Sequence, residues 1–411
     1  MKILMIAPQP FFEPRGTPIS VYQRLQALSA LQYQVDLLTY HVGQDVSIPG
    51  VTIYRNVNVP FIKGVKLGPS LSKAFLDVLL FFQAIVLLLR HHYDVIHSHE
   101  EAAFWSVILA KAFRIHHIYD MHSSLSEQLA SVPRWNWRPF VKLFELLEKW
   151  VINTCDAVIT IGVDLQERVR AIKPEVKTVL MQNLAVSTDD LPPEYGFTQE
   201  LREKLTLNGH LAVVYTGTFE NYQGLHLLLK SAKIVKAQIP EVRFILVGGT
   251  PQQVEHWRHQ FSAHGLGDYT VFTGTVSLAE SLAYLDLAEI LVSPRITGMS
   301  VPLKIYSYLH SGKPIVATDL AAHSQVLDRE IAVLVAPTES AFADGILTLA
   351  RSPELRKRLG LCAQQFAKER FDPADYRARL ERVYQELFLS KRPLEESAHP
   401  SQSDQAHTSP G

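Results

Sequence analysis

Cysteine is scarce in this sequence: only Cys155 and Cys362 occur among 411 residues, and they stand far apart along the chain. Domains that depend on disulfides carry many closely spaced cysteines, so a disulfide framework is excluded. The scarcity is typical of a reducing compartment, and we expect a cytoplasmic protein. An excess of charge of one sign is also missing, since 40 Lys and Arg oppose 41 Asp and Glu. No overall field attracts nucleic acid, and a nucleic-acid partner is not expected.

Long hydrophobic runs are missing as well. The apolar stretch that begins the chain ends at Pro8 and is too short for the hydrophobic region of a signal peptide. The longest apolar run, residues 74–89, is interrupted by Asp77 and Gln83 and is shorter than the ~20 residues that a membrane-spanning helix needs. We expect a buried or membrane-surface helix there rather than a span.

Short β-branched apolar runs alternate with helical patterns along most of the chain. This alternation predicts an α/β fold in which parallel sheets carry helices on both faces. One open sheet of a dozen strands is unfavourable, so two sheets of about six strands are expected. The predicted strands are residues 2–7, 35–40, 95–97, 117–121, 157–161 and 176–181 in the first half, and 211–215, 243–247, 270–273, 290–293, 314–317 and 332–335 in the second.

Turn residues and a Pro-Pro pair place a domain boundary at residues 186–197. We therefore expect a Rossmann-like domain at residues 1–190 and a second one at 191–370. Asp372 and Pro373 are typical of a helix start, and predict a final helix over residues 371–390. The tail from residue 391 is poor in apolar residues, and we expect it to be disordered.

The loops that follow the strands are where such sheets bind ligands. In the first half, polar residues follow strand ends at residues 8–20, 97–101 and 119–124. The first of these loops lacks the G-x-G-x-x-G fingerprint, which argues against a nicotinamide cofactor. His97 and His99 would share a face of a continued strand, but nothing nearby in sequence completes a zinc site, so no metal is expected. His122 can hydrogen-bond a sugar hydroxyl or serve as a structural histidine.

In the second half, residues 215–224 form a turn with Gly217 and Gly224 that can present backbone N–H groups to a diphosphate. Residues 293–319 are the most informative. They predict a strand end, a loop carrying Gly298, and a helix with Ser300 as its N-cap, ending at Gly312. Arg295 and Lys304 supply positive charge near that helix start, where a diphosphate is stabilised.

The chain resembles the retaining family 4 glycosyltransferases, also called glycosyl transferases group 1, which have the GT-B fold. The resemblance covers residues 1 to about 389. It rests on the ordered series of the first-strand loop with Gly16, DVIHSH at 94–99, DAVITIG at 156–162, Gln182-Asn183, the YTG turn at 215–217 with Gly224, LVGG at 246–249, FTG at 272–274 and SGKPIVATD at 311–319.

The resemblance implies a nucleotide-diphosphate sugar donor, an acceptor hydroxyl, no metal and no cofactor. The donor should bind mainly to the second domain and the acceptor to the first, with the final helix packing back on the first domain. Donor-binding residues are then Gly16, Thr17, Gly217, Thr218, Gly248, Thr273, Gly298, Met299, Ser300, Val301 and Ser307. Residues on the acceptor side are Arg15, Glu100 and Ser123, and His122, Arg295 and Lys304 are predicted to take part in catalysis.

The sequence departs from the family pattern at four charged positions. Thr218 and Gln223 stand where the family has an Arg and a Lys that hold the diphosphate. Met299 and Ser307 stand where it has two glutamates that touch the donor. We expect Arg295 and Lys304 to replace the missing cations. A non-catalytic nucleotide-sugar-binding protein and a GT-B sugar-nucleotide epimerase are the alternatives.

The acceptor is indicated only by a mixture of tryptophan and basic residues at 134–142. Such a mixture suits a membrane surface, and the run at residues 74–89 lies in the same half. One interpretation is a lipid-linked or cell-surface glycan precursor as acceptor, with peripheral contact between the N-terminal domain and the inner face of the membrane. The other, which the sequence favours slightly, is that the tryptophans are core residues and the cations are merely solvated.

Overall fold

The computed structural model describes residues 1–13, 16–60, 62, 64–65, 70–131, 136–185 and 198–389. The chain forms two parallel sheets, of seven and six strands. The first has the order β3-β2-β1-β4-β5-β6-β7 and the second β10-β9-β8-β11-β12-β13. The predicted α/β architecture of two doubly wound sheets is confirmed.

The first half contains seven strands and six helices among the described residues. The strands are β1 (Lys2–Ala7), β2 (Gln34–Thr39), β3 (Val51–Arg55), β4 (Val95–His99), β5 (His116–Met121), β6 (Ala157–Thr160) and β7 (Lys177–Leu180). The helices are α1 (Gly16–Ala30), α2 (Leu71–Arg90), α3 (Ala102–Phe113), α4 (Leu125–Ser131), α5 (Arg138–Thr154) and α6 (Val163–Ile172).

The second half continues the alternation. Its strands are β8 (Leu211–Thr216), β9 (Val242–Val247), β10 (Thr270–Gly274), β11 (Ile290–Ser293), β12 (Ile315–Thr318) and β13 (Val333–Val335). Its helices are α7 (Thr198–Lys204), α8 (Leu225–Gln238), α9 (Pro251–Ala263), α10 (Leu278–Leu287), α11 (Leu303–Ser311), α12 (Ala321–Ser324), α13 (Glu339–Arg351), α14 (Pro353–Arg370) and α15 (Pro373–Leu389).

Two local predictions were wrong. Strand β3, which pairs in parallel with β2, was missed because it is a short, half-exposed edge strand without a continuous apolar run. Ser300 is not the N-cap of α11, which begins after Pro302 with no side-chain cap. The fixed φ of Pro302 and its extended ψ of 133° delay the first helical residue to Leu303. Gly312 ends the helix in the left-handed conformation, as predicted.

The last helix crosses back to the first domain. Asp372 caps its start by accepting a hydrogen bond from the Ala374 N–H at 2.7 Å. Its buried residues recur at helical spacing and belong to the core of the first sheet rather than the second: Tyr376, Leu380, Val383, Tyr384 and Leu387. The predicted domain boundary at residues 186–197, and the predicted disordered tail from residue 391, lie outside the described residues.

Candidate functional site

Two histidines and an aspartate meet at the carboxyl edge of the first sheet. Strands β4 and β5 pair in parallel with His99 opposite Asp120. His97 and His99 lie on one face, as predicted, and their rings stack with centroids 4.9 Å apart. His122, just after β5, places its Nε2 2.9 Å from Nδ1 of His99. The predicted site histidine is thus part of a buried cluster of three imidazoles.

A buried ion pair lies against these rings. Arg24 of α1 donates through Nε to Oδ2 of Asp120 at 2.8 Å, and neither side chain is exposed. His97 Nε2 lies 3.2 Å from the same oxygen. Burial alone would raise the pKa of Asp120, but Arg24 and the neighbouring histidines together hold it well below its usual value. The aspartate is therefore ionised, and it accepts hydrogen bonds from both Arg24 and His97.

The last helix supplies hydroxyl groups to this cluster. Tyr384 places its hydroxyl 2.6 Å from Nδ1 of His97. Because burial lowers the pKa of His97, its ring is neutral, and since Nε2 donates to Asp120, Nδ1 accepts from Tyr384. Arg24 donates to the hydroxyl of Tyr376 and to the carbonyl of Met181, the latter at 3.3 Å. The final helix is therefore hydrogen-bonded to the strand ends beside His122.

The same cluster brings metal-ligating atoms together. One ligand atom each from His97, His99 and Asp120 lies within 4.8 Å of the others. Nothing in the sequence indicated a third candidate ligand, Asp120, which the parallel pairing of β4 and β5 brings alongside the two histidines. The guanidinium of Arg24 already neutralises that carboxylate, and a metal ion there would face a fixed positive charge. A site without metal remains our prediction.

Glu100 and Ser123 lie next to each other at the ends of β4 and β5. The Ser123 hydroxyl donates to Oε2 of Glu100 at 3.0 Å. Glu100 adopts a left-handed φ of 50°, which is uncommon for a residue other than glycine. Burial, followed by the charge of Glu101, raises the pKa of Glu100 to about 7. The two acceptor-side residues that the structure describes are thus held together.

The start of α1 carries the remaining first-domain predictions. The helix begins at Gly16 itself, at a φ of 48°, and among the described residues outside its own turn no atom lies within 4 Å of the position that a Cβ would take. Thr17 follows in the first turn. Arg15 lies outside the described residues.

In the second domain, Lys304 stands on the first turn of α11. Its amine is buried, has no hydrogen-bond partner among the described residues, and lies 3.8 Å from the ring centroid of Tyr215. A Cβ on Gly217 would lie 3.3 Å from the amine, so Lys304 reaches the turn after β8. Burial, and then the nearby charge of Arg295, lowers the pKa of Lys304 well below its ordinary value.

Glycines bring the backbones of three strand ends together, and one of them, Gly217, adjoins this lysine. Gly217 and Gly248 adopt φ values of 135° and 121°, and a Cβ on Gly248 would lie 2.1 Å from the Gly217 carbonyl oxygen. The Gly248 N–H donates to the carbonyl of Gly274 at 2.9 Å. Thr218 and Thr273 adjoin these contacts. The predicted donor residues of β8, β9 and β10 therefore lie close together.

Arg295 organises the loop before α11. It donates through Nε to the carbonyl of Thr297 at 2.7 Å and through Nη1 to that of Ser300 at 3.1 Å. A Cβ on Gly298 would lie 2.3 Å from Nη2 of Arg295, so the loop wraps closely around the guanidinium. Met299 is exposed. Arg295 thus shapes the loop with at least two of its donors.

The two other predicted donor residues differ in their exposure. Val301 is buried in the core of the second domain, so only its backbone is suited to contact a ligand. Ser307 is partly buried on α11, about one turn beyond Lys304.

Sequence reasoning missed His323, which supports this loop from α12. Its Nδ1 donates to the Thr318 carbonyl at 2.8 Å, so Nε2 accepts from the Ser293 hydroxyl at 2.9 Å. The Thr318 hydroxyl donates to the Arg295 carbonyl at 2.6 Å. Burial lowers the pKa of His323 to about 4, and the ring is neutral. The only sequence signal was a lone histidine four residues after SGKPIVATD.

Known family models match both halves of the chain. Residues 14–183 match the model described as Glycosyltransferase Family 4, and residues 210–352 match the one described as Glycosyl transferases group 1. The chain belongs to the family 4 glycosyltransferases. The resemblance that the sequence motifs indicated is thereby confirmed, and this glycosyltransferase carries one matched region in each sheet-forming half.

Relatives of this glycosyltransferase match along nearly the whole chain. A phosphatidyl-myo-inositol mannosyltransferase of Mycobacterium leprae is 25% identical over 405 residues, which cover 95% of this chain and 98% of the relative. A sucrose-phosphate synthase from Thermosynechococcus elongatus has a TM-score of 0.77 at 20% identity, with 95% of this chain and 100% of that chain covered. The Anabaena protein HepE, solved with UDP-glucose, has a TM-score of 0.71 at 17% identity, covering 94% and 100%. These structural likenesses confirm the GT-B fold.

Proposed function

We propose that this glycosyltransferase moves a sugar from a nucleotide-diphosphate donor to an acceptor hydroxyl with retention of anomeric configuration. The observation that carries the proposal is the amine of Lys304, which is buried, without a hydrogen-bond partner among the described residues, and next to the Gly217 turn. A buried cation of this kind is costly unless an anion binds to it. The diphosphate of a donor is such an anion, and the UDP-glucose complex of HepE supports this class of donor.

The reaction that fits these residues is a displacement on one face of the sugar. The bond between the anomeric carbon and the diphosphate oxygen breaks, and the acceptor oxygen bonds to that carbon on the same face. The acceptor proton passes to the departing diphosphate oxygen. Lys304 and the backbone N–H groups of residues 298–301 stabilise the charge that develops on the diphosphate, while Arg295 holds their loop in shape. No metal and no cofactor is required in this scheme.

Product stereochemistry tests the proposal. With an α-linked nucleotide sugar as donor, we expect the proton NMR spectrum of the product to show an α-glycoside. The physical reason is that the leaving group and the acceptor share one face of the sugar. A β-glycoside would contradict the proposal.

The same mixtures of protein and nucleotide sugar distinguish the two alternative functions, a nucleotide-sugar-binding protein and an epimerase. A protein that only binds nucleotide sugars would be stabilised thermally by UDP-, GDP-, ADP- or dTDP-sugars without forming any product. An epimerase would convert the donor sugar and form no glycoside. We expect one nucleotide of the four to raise the melting temperature most, and that nucleotide defines the donor for all further measurements.

The acceptor side of the N-terminal domain presents an apolar surface, which we call the apolar face. Helix α2 is long and apolar enough to span a membrane by length and composition, with 28% of its most apolar window buried. Its exposed large apolar residues form a stripe at helical spacing: Leu71, Phe75, Val78, Phe82, Val86 and Leu89. Ile108 of α3 and Leu143, Leu146 and Trp150 of α5 are exposed too, and Phe81 and Phe144 pack against the rings of Trp105 and Phe104 on α3.

Peripheral insertion fits this apolar face better than a span. The opposite side of α2 is packed into the domain core through Leu76, Leu80, Ala84, Leu87 and Leu88. Removing the four leucines among them from the core would cost roughly 6–12 kcal/mol at the usual value per buried leucine. Trp137 is 69% exposed, which contradicts the core alternative for that residue; Arg134 and Trp135 lie outside the described residues. Lys142 and Lys149 on α5 are exposed and suit anionic headgroups.

We therefore propose that the acceptor is a lipid-linked or cell-surface glycan precursor, used by a cytoplasmic enzyme bound at the inner face of the membrane. The name of the mannosyltransferase relative, which mentions phosphatidyl-myo-inositol, supports a lipid acceptor. The contact is peripheral and made by the apolar face.

Vesicle binding checks this contact. Phe75→Asp together with Phe82→Asp should weaken co-sedimentation with vesicles of anionic phospholipid at least tenfold, because each phenylalanine loses about 1.5–3 kcal/mol of burial. Leu361→Asp changes an equally exposed leucine in the second domain and should leave binding unchanged. If the wild type does not sediment with anionic vesicles at low salt, the membrane contact is refuted.

A further inference from the structure

His122 has one ring nitrogen engaged and one unoccupied. Its Nε2 lies 2.9 Å from Nδ1 of His99, while its Nδ1 is buried and has no hydrogen-bond partner among the described residues. The side chain is only 3% exposed. A buried polar atom without a partner is costly, and if the sugar binds at this strand end, as predicted, Nδ1 is the atom left to bond it. Which role Nδ1 plays depends on where the proton between the two histidines resides.

The carboxylate of Asp120 determines the position of that proton. Its Oδ2 already accepts hydrogen bonds from Arg24 and His97. Its Oδ1 has no hydrogen-bond partner among the described residues, and His122 Nε2 lies 3.5 Å from it. Nδ1 of His99 is 3.8 Å from Oδ2, the oxygen that is already used. A proton on His122 Nε2 is therefore near Oδ1, the carboxylate oxygen to which no described residue donates a hydrogen bond. Electrostatic attraction to that oxygen favours the proton on His122 Nε2 over the proton on His99 Nδ1.

We propose that His99 is a positioning residue that accepts the Nε2–H of His122 and so holds His122 in the tautomer whose Nδ1 is unprotonated. His122 then meets its ligand as a hydrogen-bond acceptor. The ligand group must be a donor without negative charge, and a sugar hydroxyl is the class that fits. The identity of that hydroxyl rests on the proposed function, whereas the tautomer does not.

His99 is held for this role at one face and one edge of its ring. Its face stacks on His97, with centroids 4.9 Å apart and planes 15° apart, and its Nδ1 edge meets His122, with centroids 5.1 Å apart and the two nitrogens 2.9 Å apart. His97 is itself fixed by Tyr384 and Asp120 at its two nitrogens. A ring enclosed in this way cannot exchange its nitrogens without unstacking, so its Nδ1 stays directed at His122.

The first test needs no substrate. The full-length protein is labelled with ¹⁵N in its histidines, and the ring signals of His122 are identified by their loss in His122→Gln. In the wild type at neutral pH we expect an unprotonated Nδ1 and a protonated Nε2 for His122. The reverse assignment would overturn the proposal. In His99→Leu we expect averaged shifts from two tautomers, and an unchanged Nδ1/Nε2 pattern would show that His99 does not set the tautomer.

The second test separates positioning from folding. With the donor nucleotide that stabilises the wild type most, His99→Leu should lower kcat by about 10²-fold with little change in the donor KM, as expected for a misplaced reacting-site group. His99→Asn keeps an acceptor close to the former Nδ1 and should recover most of that loss. His117→Leu is the matched control, because His117 is equally buried on β5 but bonds to Ser98. Equal losses in all three variants, or no loss in His99→Leu, would overturn the proposal.

The two tests fail independently. If no donor gives any glycoside, the proposed function fails, yet the tautomer of His122 is still measured. If transfer is retained but His122 carries its proton on Nδ1, only the present inference fails.

Discussion

Replacing Lys304 with methionine should stabilise the unliganded protein and weaken donor binding roughly 10- to 100-fold. The binding loss follows from the removal of a charge-assisted contact worth about 1.5–3 kcal/mol, since 1.4 kcal/mol corresponds to tenfold in affinity. The gain in stability follows because a buried amine, to which the described part of the chain offers no hydrogen-bond partner, is replaced by an apolar chain of similar length. Opposite signs in these two measurements distinguish a ligand-binding lysine from a structural one.

The pH dependence of stability and of donor affinity should also show opposite effects of the Lys304 charge. The pKa of Lys304 is lowered in the folded protein, so between that value and its ordinary value the unfolded chain binds more protons. The free energy of unfolding of the unliganded protein should therefore rise with pH in that window, and the rise should vanish in Lys304→Met. Donor affinity should fall as pH rises through the lowered pKa, because the neutral amine no longer pairs with the diphosphate.

Lys236→Met is the matched control for this prediction. Lys236 also lies over a tyrosine ring, that of Tyr269, at 4.2 Å, but it is on the outer side of the second domain and donates to the Gly265 carbonyl. Its replacement should leave donor affinity unchanged. Thermal shift and isothermal titration with the stabilising nucleotide measure both effects. Unchanged donor affinity in Lys304→Met would refute the assignment of this residue to the diphosphate.

Arg295 is expected to act differently from Lys304, although the sequence predicts the same role for both. The guanidinium is hydrogen-bonded to the carbonyls of Thr297 and Ser300, whereas the amine of Lys304 has no such partner among the described residues. Arg295 thus already donates hydrogen bonds to the loop before α11, and we expect it to stabilise that loop. Sequence reasoning could place both cations at the start of α11, but not which of them was engaged, because that depends on how the loop folds around Gly298.

Local patterns predicted most of the strands, because buried parallel strands are continuous apolar runs and the loops between them carry turn residues. They also placed His97 and His99 on one face. The partners of these histidines could not be predicted from the sequence. Tyr384 lies 287 positions from His97, and Asp120 is brought beside His99 by the register of β4 and β5. Arg24 was missed for the same reason. A lone arginine within a helix is usually solvated, whereas Arg24 is enclosed by groups distant in sequence, among them Asp120 on β5 and Tyr376 on α15.

The buried ion pair between Arg24 and Asp120 leads to the second large effect. Arg24→Leu should lower the free energy of unfolding of the first domain by about 3–5 kcal/mol, because it leaves a fully buried carboxylate without its counter-charge. Arg24→Leu combined with Asp120→Leu should recover much of that loss, since no uncompensated charge remains. Arg379→Leu removes an exposed pair with Asp375 on α15, and should cost only about 0.3–0.5 kcal/mol.

Lowering the pH should reveal how much the pair of Arg24 and Asp120 contributes to stability. Arg24 and the neighbouring histidines hold the pKa of Asp120 well below 3.8 against the opposing effect of burial, so its contribution to stability is present above pH 3.8 and is lost only as pH falls through the lowered value. Denaturant unfolding followed by a first-domain probe, such as Trp105 fluorescence, measures the loss in each variant. Because Arg24 also holds Tyr376, Arg24→Leu should loosen α15 and increase hydrogen exchange along it. A loss below about 1 kcal/mol would mean that the ion pair does not stabilise the first domain. Exchange in α15 equal to that of the wild type would mean that the hydrogen bond from Arg24 to Tyr376 does not hold the last helix.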